Sequence, residues 1–309
     1  MKSIGIIGGG FGLYGYLPAA ISCGLKVITC LKYLKLFDQR DDINQFIDQI
    51  EFKNKEETII KEADILVIAR RPEDQEKILN NIDPGKLLII EKPIARTPKV
   101  AGAIINKLAK ECVDYRIGFT FLETSWYDEL RSFYTANKAN INYLEINWSF
   151  QAHHYEMELI NWKRNINEGG GAFKFYGCHI LSLLAGIDKW DINGIDSFCY
   201  NENDEYMFKL ELQNLKGVKC SASCNSDSLS EPVFEINIVT NTQNQYNYKS
   251  KDPFDYLINS DNLFDYRMPL LESIINSFSD NTITYTILYE KYIALWKQSE
   301  FKRIVHTVS

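Results

Sequence analysis

Over roughly the first third of the chain, short apolar runs alternate with longer stretches whose hydrophobic positions recur at helical spacing. Ser3–Ile7, Leu25–Leu31, Ala63–Ala69, Leu87–Glu91 and Tyr115–Thr120 read as strands. A glycine-rich turn and a segment around Leu17–Cys23 follow the first of them, and Arg40–Gln49, Pro72–Asn80 and Pro98–Glu111 read as helices. Near-continuous apolar strands between amphipathic helices predict an α/β unit built on a parallel, doubly wound sheet. After Phe121 the texture changes. Ile141–Gln151, Ile192–Tyr200, Glu205–Gln213, Val218–Cys224 and Val233–Thr240 follow one another as strands with short turns between them, which predicts an antiparallel sheet. The tail segments Met268–Phe278 and Thr284–Phe301 are helical by period. The change falls near Gly118–Thr124, so two domains are expected, 1–118 and 119–309, the second of α+β type. No internal repeat or low-complexity stretch is present.

Length supports the division, since 309 residues exceed what one core usually organises. The 45% hydrophobic and 24% charged residues are those of an ordinary globular protein. A net charge of −7 offers no general attraction to nucleic acid or to anionic lipid, so neither is expected as a partner. No stretch approaches the roughly 20 apolar residues that span a bilayer, and the apolar run at the start is too short for a signal peptide. The seven cysteines form no ladder; Cys220 and Cys224 are the closest pair and lack partners for zinc. Reduced thiols in the cytoplasm are expected.

The candidate chemistry lies in a few segments. Gly8-Gly9-Gly10-Phe11-Gly12-Leu13-Tyr14-Gly15 follows the first strand. In the dinucleotide fingerprint one glycine makes the turn, the next lets the backbone approach a pyrophosphate, and a third allows close helix–strand packing. Two registers fit. Gly10-x-Gly12-x-x-Gly15 matches literally, whereas Gly8 and Gly10 stand at the better distance from the strand and put Leu13 at the third position. A ligand-free glycine turn would leave the same pattern. The second strand lacks the acid that commonly binds the adenosine ribose and runs instead into Lys32, with Asp38 about a turn too late. Lys32 suits the 2′-phosphate of NADP, or is simply solvated. Lys92, in Glu91-Lys92-Pro93, follows a buried strand at the edge where doubly wound sheets bind ligands. Its ammonium can donate to a substrate oxygen and, depressed by an oxidised nicotinamide nearby, take part in proton transfer.

Trp162, Arg164 and Gly169-Gly170-Gly171 lead into a helical stretch carrying Phe175, Tyr176 and His179. Helical spacing puts Phe175 and His179 on one face and Tyr176 a turn before His179. An imidazole in a cleft can take the proton of a sugar hydroxyl as hydride leaves its carbon. Trp162 and Arg164 suit a sugar or its nucleotide, and Arg70 and Arg71 after the third strand can meet a phosphate or be solvated. His153 and His154, read at a strand end, point to opposite sides, so no metal is expected.

With these segments in this order, the chain resembles the Gfo/Idh/MocA oxidoreductases, the family of glucose–fructose oxidoreductase, inositol dehydrogenases and nucleotide-sugar ketoreductases. The matching residues are Gly8 to Gly12, Glu91-Lys92-Pro93, Gly118-Phe119, Trp162 with Arg164, and Gly169-Gly170-Gly171 through Gly177 and His179. The resemblance implies a Rossmann domain followed by a domain with an open, mostly antiparallel sheet, through which a homodimer or homotetramer would form. It implies NAD or NADP held by Gly8, Gly10, Phe11, Gly12, Lys32, Arg70, Glu91 and Lys92, and a cis bond before Pro93. It also implies a sugar or nucleotide-sugar substrate at Trp162, Arg164 and Phe175, oxidised or reduced with Lys92, His179 and Tyr176 as catalytic residues. Two departures stand out. Phe175 occupies the place of a carboxylate four residues before the histidine, and Arg70-Arg71-Pro72 stands where Thr-Pro is usual. Two alternatives remain open: a dinucleotide binder with little turnover, and an epimerase or lyase using transient oxidation.

Overall fold

Six strands, Ser3–Ile7 (β1), Lys26–Cys30 (β2), Ile50–Lys53 (β3), Ile65–Ile68 (β4), Leu87–Ile90 (β5) and Asp114–Ile117 (β6), form a wholly parallel sheet in the order β3-β2-β1-β4-β5-β6. They are seen in a computed structural model that describes residues 2–242, 244–254, 265–279 and 282–307. The inner strands are buried on both faces, which is why each reads as an unbroken apolar run. β3 escapes the sequence reading because it is a half-buried edge strand of alternating charge, Ile-Glu-Phe-Lys. The strand order turns back between β1 and β4, and the carboxyl ends of those strands flank the crevice where such sheets bind ligands.

The chain groups into two compact units. One holds the described residues of Met1–Ala95, Ala103–Glu123 and Tyr256–Thr286; the other holds those of Arg96–Gly102, Thr124–Asp255 and Ile287–Ser309. A single boundary near residue 118 would give the helix Met268–Asn276 to the C-terminal half. That helix instead packs on the helix Leu17–Ser22 of the first unit, burying Leu270, Leu271, Ile274 and Ile275. Buried Arg116 on β6 reinforces the attachment. It donates to the Ser277 hydroxyl (3.0 Å) and carbonyl (2.6 Å) and lies 4.1 Å from the ring centre of Tyr285.

The second unit is built on seven strands: Ile141–Ser149 (β7), Trp190–Cys199 (β8), Glu205–Asn214 (β9), Lys219–Asn225 (β10), Val233–Thr240 (β11), Gln245–Ser250 (β12) and Arg303–Thr307 (β13). Their order is β12-β11-β7-β10-β9-β8-β13. The sheet is mostly antiparallel, with parallel pairs only at β7–β10 and β8–β13. Alternation sorts its faces: Leu144, Ile146 and Trp148 are buried, whereas Tyr143, Glu145 and Asn147 are half exposed. The helix Gly177–Ile187 is apolar nearly all round and buried almost throughout; it packs against the helix Ser125–Asn137, which is capped by Thr124.

Candidate active site

In the first unit, β1 ends at a turn whose glycines have distinct geometries. Gly8 has φ +150°, and a Cβ there would stand 2.1 Å from the Ala69 carbonyl oxygen at the end of β4. Only glycine fits. Gly12 lies close against Ile6 and Ala69, at 3.1 and 3.2 Å from where its Cβ would be. At Gly10 a Cβ would meet nothing within 4 Å, and the residue is exposed. The turn therefore presents an open stretch of backbone at the carboxyl end of β1, with Leu13 and Tyr14 N–H closing onto the Gly10 carbonyl (2.8 and 3.3 Å). A dinucleotide pyrophosphate fits this cradle, and a larger side chain at Gly10 would fill it. The chain continues as a π-helical turn, Gly12–Tyr16, with Leu17 N–H bonded to the Gly12 carbonyl. Such widened turns are frequent at functional sites. Arg267, held by Asp265 through two hydrogen bonds of 2.9 and 2.8 Å, lies over Phe11 with its guanidinium 4.3 Å from the ring centre.

Lys32 follows β2 in a short 3₁₀ turn, where its ammonium pairs with Glu56 at 2.8 Å. Arg70 donates to the Tyr33 hydroxyl (3.2 Å) and reaches Glu56 at 3.4 Å. The two candidate phosphate ligands thus share one carboxylate that the sequence reading did not single out.

Lys92 follows β5 at the same edge of the sheet, and the Lys92–Pro93 bond is cis. Gln75, fully buried in the helix Pro72–Leu79, donates from Nε2 to the carbonyls of Glu91 and Pro93, both at 3.0 Å. Those two carbonyls flank Lys92, so Gln75 fixes the backbone that presents it. Glu91 is buried and accepts from the Tyr16 hydroxyl at 3.0 Å. Burial pushes its carboxyl up to about 7, against the opposing pull of the Lys92 ammonium.

In the second unit the glycine triplet bolts a loop to a helix. Gly170 and Gly171 N–H donate to the carbonyls of Asn165 (2.9 Å) and Lys163 (2.8 Å), and a Cβ on Gly170 would come within 2.1 Å of the Trp162 carbonyl. The chain then enters a second π-helical turn, Ala172–Tyr176, before the helix Gly177–Ile187. Glu205, buried on β9, accepts from Phe173 N–H at 2.9 Å and pairs with Arg303. Lys174 is buried and donates to the carbonyls of Ile166 (3.0 Å) and Arg96 (3.1 Å); burial lowers its pKa.

The aromatic residues sort into two groups. Tyr176 and His179 both meet the edge of Trp148, at 5.6 and 6.4 Å between ring centres, and Tyr176 also meets Phe150 at 4.9 Å. Phe175 packs edge-on to Trp162 at 5.5 Å and lies 5.4 Å below the Lys163 ammonium. Tyr176, three residues before His179, thus shares Trp148 with it. Arg164 is engaged by Asp204, which also accepts from the Tyr155 hydroxyl at 2.8 Å. His153 and His154 begin a helical turn rather than end a strand, which corrects the sequence reading. His154 is buried beside Tyr155, its ring parallel to that of Tyr176 with 6.2 Å between centres, and burial pushes its imidazole down to about 4. Among the described residues, no group of three or more His, Cys, Asp or Glu is placed to hold a metal ion, and no helix is long and apolar enough to cross a membrane.

Compared by sequence, the chain matches no family model and no curated protein. Compared by structure, it is similar along its whole length to solved proteins. One is KijD10, a 3-ketoreductase from Actinomadura kijaniata in complex with NADP and TDP-benzene, with a TM-score of 0.71, 11% identity, and 100% and 99% of the two chains covered. Another is a myo-inositol dehydrogenase from Corynebacterium glutamicum, with a TM-score of 0.69, 14% identity and 98% of each chain covered. A third is a super-repressor mutant of Gal80p from Saccharomyces cerevisiae, with a TM-score of 0.70, 11% identity, and 97% and 95% covered. The chain shares the fold of these proteins, with a parallel six-stranded sheet of Rossmann type and a mixed seven-stranded sheet.

Proposed function

We propose that the protein is an NAD(P)-dependent oxidoreductase that moves hydride between the cofactor and a carbinol or keto carbon of a sugar or nucleotide-linked sugar. The observation that carries this reading is the open cradle at Gly10 on the same sheet edge to which β5 delivers Lys92, with Gln75 holding its backbone. The glycine turn and Phe11 would hold the dinucleotide, with Glu91 and Lys92 toward its reacting end. When bound, the nicotinamide supplies the hydride acceptor or donor. Lys92 donates a hydrogen bond to the substrate oxygen, and His179 takes the hydroxyl proton during oxidation and returns it during reduction, with Tyr176 as a second proton carrier. Trp162, Arg164 and Phe175 would line the sugar or its nucleotide. Reduced thiols fit a cytoplasmic enzyme. The half-exposed face of the second sheet, with its cross-strand contacts Tyr143–Ser221 (2.6 Å) and Asn147–Ser223 (2.9 Å), suits a homo-oligomer interface.

The test combines binding and turnover. A dinucleotide is expected by mass spectrometry in the purified protein, and turnover is expected in a panel of sugars and nucleotide sugars. Gly10→Val should abolish dinucleotide binding by calorimetry while leaving the melting temperature unchanged, because no protein atom stands where its side chain would go. Lys92→Ala and His179→Ala should each lose about 10²–10⁴-fold in kcat, without additivity if they serve one proton path. A second reading rests on Phe175, whose ring sits against Trp162 where the resemblance implies a carboxylate. It is a dinucleotide-binding sensor or partner with little turnover. Binding of NAD(P) with silence across the whole panel would decide for it.

A further inference from the structure

β2 ends without a carboxylate, yet one stands beside that end in space. Glu56, three residues after β3, places Oε1 at 2.8 Å from the Lys32 ammonium and at 2.9 Å from the Tyr33 hydroxyl, which donates to it. Its Oε2 takes only a long contact of 3.4 Å from Arg70. Tyr33 in turn lies against the glycine turn, since a Cβ on Gly9 would stand 3.0 Å from its ring. Three residues that follow the carboxyl ends of β2 and β4 therefore surround one acceptor, the carboxylate after β3, next to the cradle.

We propose that Glu56 recognises the adenosine ribose hydroxyls in place of an acid at the end of β2, and that it makes the protein select NAD over NADP. The proposal rests on the dinucleotide reading above. A carboxylate has about four acceptor positions, and here Oε2 is only weakly used, so a ribose hydroxyl can be accepted without displacing a partner. The side chain is only 18% exposed and held by two cations and a phenol, which pre-orients it. A 2′-phosphate would have to pull Lys32 and Arg70 away from Glu56 and leave like charges side by side in a partly buried place. Lys32 and Arg70 thus hold the acid in position and do not themselves read a phosphate.

Calorimetric titration of NAD and NADP into the wild type, Glu56→Gln and Glu56→Ala tests this, with thermal melts as a folding control. The wild type is expected to bind NAD at least about tenfold more tightly than NADP. Both variants should lose about tenfold or more for NAD, the scale of one hydrogen bond to a charged group, and should gain affinity for NADP as Lys32 and Arg70 are released. A wild type that prefers NADP, or a ratio unchanged by both substitutions while both cofactors still bind, would overturn the role of Glu56 and leave the dinucleotide reading standing. Failure of the wild type to bind either cofactor would remove that reading and this proposal together.

Discussion

Glu91 takes its properties from burial more than from its short motif. Its carboxyl is raised to about 7 in the fold and lies near 4.3 in an unfolded chain. Between those values the native state binds a proton that the unfolded state has lost. The associated stability is therefore present below about pH 4 and is lost as pH rises through 7. Glu91→Gln keeps an acceptor for the Tyr16 hydroxyl and removes the charge. The variant should match the wild type in stability at pH 4 and exceed it by roughly 3 kcal/mol at pH 8. Melting temperatures measured across that range check this, and parallel curves for the two proteins would refute it. The glycines make a related point at the same scale. Gly8, Gly10 and Gly12 look alike as letters. Only their surroundings separate the turn-maker at Gly8 from the open cradle at Gly10 and the close-packed Gly12.

At the scale of elements, the helix Pro72–Leu79 shows how a supporting residue hides. Proline in its first turn and acids directly after it start the helix, and these are legible signals. The task of Gln75 is not legible, because its partners lie on a different segment and are backbone carbonyls. Gln75→Leu keeps the volume and deletes both hydrogen bonds. Its cost should be about 1–3 kcal/mol in stability, together with a fall in kcat and little change in dinucleotide Kd. Denaturant melts and steady-state kinetics measure both. An unchanged kcat would reduce Gln75 to a packing role. The two π turns, Gly12–Tyr16 and Ala172–Tyr176, belong here as well. Counting in steps of three and four across the second puts both Tyr176 and Phe175 a turn before His179, and the structure gathers Tyr176 and His179 at Trp148.

For the whole molecule, the second sheet decides the assembly prediction. Tyr143, Glu145, Asn147, Ser221 and Ser223 line one half-exposed face, polar enough to be solvated and broad enough over two neighbouring strands to offer a copy of itself a matching surface. If that face joins subunits, light scattering after size exclusion should give a dimer or tetramer. Arginine at both Tyr143 and Ser223 should then yield a smaller species with an unchanged circular dichroism spectrum. A wild-type monomer at micromolar concentration would end this proposal.

The alternation of apolar runs with amphipathic helices was sufficient to predict a doubly wound parallel sheet followed by a mostly antiparallel one. Burial on two faces or one leaves a local imprint that needs no partner to be read. Strands Ser3–Ile7 and Val233–Thr240 coincide with their predicted limits. The edges left weaker marks, since β3, β12 and β13 carry half-exposed or exposed residues and lack the fully buried positions of the inner strands. The order of the glycine turn, Glu91-Lys92-Pro93 and the triplet before His179 was likewise visible, since each is a short contiguous segment. Only tertiary structure decided the rest. Lys32, Tyr33, Glu56 and Arg70 meet because β2, β3 and β4 end at one edge of a sheet whose order differs from the order of the chain. The helix Met268–Asn276 joins the first unit because its apolar face is buried against a helix near the N-terminus. Contacts of that kind depend on strand order and side-chain packing between distant segments, which no local pattern encodes.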